Sequence, residues 1–313
     1  MHVTTWKLVG LIGTAVFLAG CDDWGDWGGD SGRYKEDFAY NYTLKPGGRL
    51  YLESLNGGVE VTGWDQDKVE ITGTKYASSE STLKALRVEV VNTPDSIRVR
   101  TVTPSGHRGG MGAKYVLHVP RKTEIERIMT SNGRITLENI ESAARLKTSN
   151  GSVRVNKTTG NLEVETSNAG VELVAHDGPA TVHTSNGSIK ADGVRGFFDA
   201  STSNASINAR VVDPEPGKTV KLESSNGSIT IELGSWKQNE IRASTSNSGI
   251  TVRLPQGINA QLRAHTSNGS IQSDFDVSVR GTISKNTMEG TIGTGGPMIE
   301  LGTSNGPIRV QRL

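Results

Sequence analysis

The sequence predicts an all-β protein built as a parallel β-solenoid, and three observations lead to this prediction. The 313 residues include 38 glycines but only 5% aromatic and 34% hydrophobic residues, a composition too lean for a large core with thick helical layers. The dipeptide Ser-Asn recurs at nearly constant intervals. Around each dipeptide, apolar and polar residues alternate with period two, which is typical of half-buried β-strands.

The interval between the Ser-Asn dipeptides sets the size of the predicted coil. Their asparagines are Asn132, Asn150, Asn168, Asn186, Asn204, Asn226, Asn247, Asn268 and Asn305. Successive intervals are 18 residues four times, then 22, 21, 21 and 37 residues. Because 37 is twice the period plus one and Asn286 follows Asn268 by 18 residues, we expect a degenerate repeat there. Eighteen residues at about 3.3 Å each span roughly 60 Å. We therefore expect coils of about 18–22 residues, with the right-handed crossovers that parallel strands prefer.

Each repeat is predicted to contain two strands joined by a bend at the dipeptide. With the asparagine as position 0, positions −4 and +3 are apolar and position −2 is Thr or Ser throughout. The alternation changes phase at position +1, which is mostly Gly, and this indicates a bend at which the backbone can adopt positive φ. A turn then leads to the next coil.

The same parity predicts that the asparagines and the residues at −2 point into the coil, where they stack about 4.8 Å apart from coil to coil. In such a ladder each amide is satisfied by the amides above and below it. We expect a structural ladder from the nine asparagines and from a row of threonines at −2 that includes Thr130, Thr148, Thr166, Thr184 and Thr202. Contact of the motif with a ligand or with ice is the functional alternative.

Charged residues at outward positions support the 18-residue register, because opposite charges on adjacent rungs attract each other. The residues at +4 are Arg154, Glu172 and Lys190, and those at −3 are Lys147, Glu165 and His183. We therefore interpret the two glutamates as members of charge columns and not as catalytic groups.

The two ends are expected to differ from the repeats. Residues 34–122 are predicted to form a less regular N-terminal β cap, with strands at 69–76, 86–91, 96–102 and 115–119, a short helix near 79–86 and a Gly-rich loop at 108–113. Within it, residues 52–61 match the repeat around Asn56. The β-solenoid repeats are assigned to residues 123–313. Their last coil contains Pro307, Arg309 and Arg312, and these residues predict a protected terminal edge.

The N-terminus predicts export and lipid anchoring. Residues 8–19 are mostly apolar, too short a run to span a bilayer but suited to a signal peptide. Ala19 and Gly20, followed by the single cysteine, Cys21, resemble the lipobox of bacterial lipoproteins, in which the cysteine is acylated. We expect a signal peptide at 1–20 and a flexible Gly/Asp-rich tether at 21–33. An ordinary secretory signal with an incidental cysteine is the alternative.

Several motifs together resemble a known family. The stretch from Asn56 to Trp64, the Val119-Pro120 pair before the first regular repeat, and the serial Thr-Ser-Asn-Gly-Ser-Ile units are similar to the bacterial putative-adhesin β-strand-repeat family, a domain of unknown function. The resemblance implies a β-solenoid in the cell envelope, often lipid-anchored, with an adhesive role. It carries over no catalytic motif.

The functional prediction follows from the repeats and the anchor. A formal net charge of +1 gives no basic footprint for nucleic acid, and the spacing of the histidines and the lone cysteine indicates no metal or cofactor site. We expect a non-enzymatic protein, lipid-anchored in the bacterial cell envelope and facing the periplasm or the exterior, that serves as an adhesin or surface interaction scaffold for a protein or glycan. The alternatives are a glycan-active lyase or hydrolase on a β-helix and, less favoured, an ice-binding protein.

Overall fold

The computed structural model describes residues 32–104, 110–279 and 284–313. The described chain is nearly all β, with two long sheets that enclose one hydrophobic core. This confirms the predicted fold class. The proposed anchor Cys21, the signal peptide and nearly all of the tether lie outside the described residues.

The strands and the one helix of the described residues are as follows, in chain order. They are β1 (Tyr34–Thr43), β2 (Arg49–Glu53), β3 (Val59–Trp64), β4 (Lys68–Ala77), α1 (Glu80–Ala85), β5 (Arg87–Thr93), β6 (Ser96–Val102), β7 (Met111–Pro120), β8 (Glu124–Thr130), β9 (Ile135–Glu138), β10 (Ala144–Thr148), β11 (Val153–Thr159), β12 (Leu162–Glu165), β13 (Val171–Asp177), β14 (Ala180–His183), β15 (Ile189–Gly196), β16 (Phe198–Thr202), β17 (Ile207–Pro214), β18 (Val220–Ser224), β19 (Ile229–Leu233), β20 (Ile241–Ser244), β21 (Ile250–Leu254), β22 (Ala260–Thr266), β23 (Ile271–Ser273), β24 (Val277–Ser278), β25 (Thr287–Ile292), β26 (Met298–Thr303) and β27 (Ile308–Arg312).

Each regular coil contributes one strand to each sheet. Sheet A has the order β1-β4-β7-β3-β9-β11-β13-β15-β17-β19-β21-β27-β23, and sheet B has the order β24-β25-β22-β26-β20-β18-β16-β14-β12-β10-β8-β2-β6-β5. In the middle of the stack, Val153 pairs in parallel register with Val171, which pairs with Ile189. These residues are 18 apart and almost fully buried, so identical positions of successive coils stack to form the core.

The C-terminal end departs from sequence order. Strands β26 and β27 lie between the coil of β20 and β21 and the coil of β22 and β23. The prediction that the coil containing Pro307, Arg309 and Arg312 forms the terminal edge is therefore wrong, because this coil has parallel neighbours on both sides. The prediction of a degenerate repeat at Asn286 is also wrong, because this residue precedes β25, and β25 pairs antiparallel with β22.

The N-terminal end shows the same inversion. Strands β2 and β3 stack directly on β8 and β9, while β6 and β7, later in sequence, lie outside them. Strands β1, β4 and β5 close this end with antiparallel pairs. The expected helix is present as α1, capped by the Ser79 hydroxyl, which accepts from Thr82 N. Part of the expected loop at 108–113 is instead the start of β7, because Met111 to Ala113 pair with β4.

Glycine at position +1 has a different role from the one predicted. Gly57 has a φ of 113°, but Gly133, Gly151 and Gly187 do not have positive φ. A Cβ at any of these three would overlap the carbonyl oxygen of the residue at +1 in the adjacent coil. At these three positions glycine lets two backbones approach closely, and the bend does not require positive φ.

Candidate functional site

The bend carries an exposed row of asparagines, which we call the amide ladder. In the part of the chain that the structure describes, ten asparagines form it: the nine of the Ser-Asn dipeptides and Asn56. Nine of the ten side-chain Nδ2 atoms donate to Oδ1 of the asparagine in the neighbouring coil at 2.5 to 2.8 Å. The row begins where Asn56 Nδ2 donates to the carbonyl oxygen of Met111 at 2.8 Å. It passes from Asn247 through Asn305 to Asn268, following the spatial order of the coils.

The prediction that these asparagines line the interior is wrong. Asn132, Asn150, Asn168, Asn186, Asn204, Asn226, Asn247, Asn268 and Asn305 are all exposed, and Asn56 is half-buried. The residues at −2 and +3 are buried or nearly so. The bend therefore places two consecutive residues, the serine at −1 and the asparagine, on the outside. The phase of the alternation changes before the asparagine and not after it.

The geometry leaves part of each amide open to water. A carboxamide has two N–H donors and an oxygen with two lone pairs. The ladder uses one donor and one lone pair of each inner asparagine, so one donor and one lone pair per coil remain. All the amides point the same way along the stack. The result is a regular row of hydrogen-bonding groups with one step per coil, about 4.8 Å.

The residues at −2 form a second row on the inside. Thr130, Thr148, Thr166, Thr184 and Thr202 are at most 5% exposed. Each hydroxyl donates at 3.0 to 3.2 Å to the carbonyl oxygen of the residue at +1 in the adjacent coil. These threonines connect each bend to the next by a hydrogen bond. They do not reach the surface, so they form no exposed threonine row that could bind ice.

A depression on the outer face of sheet B was missed by the sequence analysis. Strand β8 holds one extra residue against both of its neighbours, so that Glu126 and Arg127 lie opposite the single residue Arg145. This β-bulge borders a shallow hollow of about 410 Å³ that we call the β8 depression, lined by Tyr51, Glu126, Arg127, Arg145, Leu146, Lys147, Glu163 and Glu165. The sequence signal was the three-residue step from Ile125 to Ile128, where other coils have a step of two.

Several charged and polar groups on the outer faces have local partners. Glu165 pairs with Lys147 at 2.6 Å and Glu172 with Arg154 at 3.6 Å, as the charge columns predict. His183 Nδ1 lies 2.8 Å from Ser201 Oγ. Across the described ranges, no group of three metal-ligating side chains occurs, and no helix is long and apolar enough to cross a membrane.

Glu60 and His176 are among the groups whose pKa values are shifted. Burial raises the pKa of Glu60, and the nearby carboxylate of Glu138 adds to the rise. Burial lowers the pKa of His176. The ring of His176 is 1% exposed, and its Nδ1 lies 2.9 Å from Thr158 Oγ1.

The family described as Toastrack DUF4097 matches residues 40–311. The chain belongs to this family. The resemblance seen in the sequence is thereby confirmed. No curated protein matches the chain.

Solved structures similar to this Toastrack chain cover 89% of it. One is described as a "putative adhesin" from Bacteroides fragilis, with 15% identity, 97% of that chain covered and a TM-score of 0.45. Another is a "putative cell adhesion protein" from Clostridium sporogenes, with 12% identity, 100% of that chain covered and a TM-score of 0.21. A third is a "putative lipid binding protein" from Parabacteroides distasonis, with 12% identity, 98% covered and a TM-score of 0.31.

Two surfaces of this Toastrack domain are therefore candidates for binding. The amide ladder offers a straight row of neutral donors and acceptors along one edge of the solenoid. The β8 depression offers a small hollow with an aromatic ring and both signs of charge. The two surfaces differ in shape and in chemistry.

Proposed function

We propose that the protein is a non-enzymatic interaction scaffold of the bacterial cell envelope, anchored to a membrane through a lipid on Cys21, and that it acts as an adhesin. The observation that carries this proposal is the exposed amide ladder. Ten amides in a line offer open hydrogen-bonding groups to a partner that extends along the solenoid, whether a protein or a glycan.

The ladder is suited to binding because it is already ordered. A free asparagine side chain loses rotamer freedom when it binds a partner, at a cost of about 0.5–1.5 kcal/mol for each immobilised side chain. Here each inner amide is held between two others, so most of that freedom is lost on folding. A partner that contacts several coils therefore gains hydrogen bonds with little further ordering.

The anchor is supported by the sequence around Cys21. Two or three acyl chains hold a protein stably at a membrane, where a single chain is marginal. The 13 residues of 21–33 reach at most about 45 Å when fully extended. The solenoid would thus stay near the membrane surface.

Anchoring is tested with a Cys21→Ser variant expressed in its native host. We expect wild-type protein in the membrane fraction and in the detergent phase after phase separation. The variant should move to the aqueous phase. A wild-type N-terminal peptide whose mass shows no acyl chain on Cys21 would overturn lipidation, as would retention of Cys21→Ser in the membrane after cleavage of the signal peptide.

Partner binding is tested by crosslinking in intact cells. We compare wild type, the double variant Asn168→Ala/Asn186→Ala, and Asn208→Ala, which removes an exposed asparagine outside the ladder. The double variant should lose most of the crosslinked partner while the control keeps it, and thermal melts should verify that all three fold. Equal crosslinking by the ladder variant and the control would argue against the ladder as the binding edge.

One observation favours a second candidate, a glycan-active enzyme. Glu60 and Glu138 lie on paired strands of adjacent coils, and burial, together with the nearby Glu138, raises the pKa of Glu60, as is found for a general acid. Release of reducing ends from a panel of envelope and plant glycans, abolished by Glu60→Gln, would establish this activity and replace the scaffold proposal.

A further inference from the structure

The extra residue in β8 gives one coil a surface that the others lack. Ile125 pairs with Leu50 and Ala144, and Ile128 pairs with Leu52 and Leu146. The two residues between the isoleucines both turn outward, whereas a regular strand would turn only one. β-Bulges commonly re-aim side chains at functional sites. Here the bulge brings Glu126 and Arg127 together at the β8 depression.

The charged residues around the β8 depression form ion pairs, except for Arg127. Arg145 pairs with Glu163 at 3.2 Å and Lys147 with Glu165 at 2.6 Å. Glu126 lies 3.9 Å from Arg98, whose guanidinium covers the ring of Tyr51 at 4.6 Å. Among the described residues, Arg127 has no carboxylate partner, and its side chain is exposed. The residues that line the hollow include three cations and three carboxylates, so Arg127 is an unpaired cation in a lining without net charge.

The unpaired guanidinium of Arg127 is the group in this hollow that can bind an anion. The planar fork of arginine binds a carboxylate or a sulfate through two parallel hydrogen bonds. The flanking carboxylates and cations can accept from and donate to hydroxyl groups, and Tyr51 adds an apolar ring. The hollow is shallow and has a volume of about 410 Å³. These features together fit an acidic sugar.

An acidic peptide fits this surface less well. Extended peptides commonly bind by adding a strand to an open sheet edge, where backbone groups are free. Strand β8 is not an edge, because β2 and β10 flank it on both sides. Only side chains are available to a ligand here, and they are arranged around a hollow and not along a line.

We propose that the β8 depression binds an acidic saccharide, with Arg127 holding the carboxylate or sulfate of the sugar and Tyr51 packing against its ring. This site is separate from the amide ladder. Failure of either proposal therefore leaves the other standing.

The test uses the full-length protein in detergent and isothermal titration calorimetry. The probes are a uronic-acid tetrasaccharide, a sulfated tetrasaccharide and a neutral tetrasaccharide of glucose. We expect one or both acidic probes to bind and the neutral one to bind at least tenfold more weakly. The acidic probe that binds identifies the anion as carboxylate or sulfate.

Two variants assign the binding to the β8 depression. Arg127→Ala should weaken binding of the acidic probe by roughly tenfold or more, the effect expected for loss of a charge-assisted hydrogen-bonded pair. Arg253→Ala, which removes an exposed arginine of β21 on the other sheet, should leave affinity unchanged. Tyr51→Leu should weaken binding while the melting temperature stays within a few degrees of wild type. Equal binding of neutral and acidic probes, no binding of either acidic probe, or equal affinity of Arg127→Ala and Arg253→Ala would overturn the proposal.

Discussion

The middle of the stack and its two ends are built from the same coils but connected differently. From β10 to β21, each coil stacks on the coil that precedes it in sequence. At the ends, the coil of β2 and β3 and the coil of β26 and β27 are inserted next to partners that are distant in sequence. Ile308 pairs with both Ile250 and Ile271 in the same register as the middle coils. Coil surfaces are thus interchangeable, and their order must come from the connections.

Deletion of residues 298–313 should have the largest effect, and it should destabilise the C-terminal end while leaving the middle of the stack intact. The deletion removes β26 and β27 from between two coils, so each of these two coils loses a neighbour. Because coils in a solenoid contact only their neighbours, we expect hydrogen exchange to show loss of amide protection in 260–273 and retention in 144–233. If the coils followed sequence order, residues 260–266 would keep their protection, and that result would contradict the inverted order.

The next largest effect should come from adding a methyl group at a bend in the middle. A Cβ at Gly187 would overlap the carbonyl oxygen of Ala169, and the adjacent coils carry Ala169 and Ala205 at this position. Gly187→Ala should therefore lower the free energy of unfolding by about 3 kcal/mol, measured by urea denaturation. Gly302→Ala, at an open position of β26, is the control and should change it by less than about 0.5 kcal/mol.

Loss of one buried hydroxyl should have a smaller effect that is equal in both regions. Thr166 donates to Gly151 O at 3.1 Å in the middle, and Thr303 donates to Ser248 O at 2.7 Å in the inserted coil. Replacing either by Val leaves a carbonyl without its partner, and we expect each to cost about 1–3 kcal/mol. The exposed Thr181→Val serves as the neutral control. A clear difference between the two buried sites would mean that the inserted coil is not equivalent to the middle ones.

The smallest effect should be a pH dependence confined to the middle. Burial holds the pKa of His176 below its ordinary value of 6.5, so the folded state keeps the ring neutral while the unfolded state takes up a proton. Stability should therefore fall as pH drops from about 6.5 towards the lower folded pKa. His176→Gln should lose less stability than wild type between pH 7.5 and pH 5.5 in urea titrations. His183→Gln, which changes an exposed histidine, should behave like wild type, and equal pH dependence in all three proteins would refute the burial effect.

The sequence predicted the features that repeat from coil to coil. It did not predict the order of the coils at the ends, which depends on how they are connected. The alternation around Val153 and Val171 was sufficient to predict the coil and its register, because identical residues must stack to bury themselves. The alternation placed the asparagines on the wrong side. The bend has two consecutive residues on the outside, so the inward–outward alternation changes phase one residue earlier than expected. The inverted order was not predictable, because Ile308 fits beside Ile250 as well as Ile271 does. The β8 depression was readable in principle, from the spacing of Ile125 and Ile128.

The inserted coil also changes how the molecule bears mechanical load. A coil at an open end is held by one row of hydrogen bonds on each sheet, and tension can peel it away step by step. Strands β26 and β27 are held by parallel neighbours on both sides, so tension on this segment must shear two rows at once. Force applied to β26 or β27 would therefore meet more resistance than force applied to a strand with a neighbour on one side only.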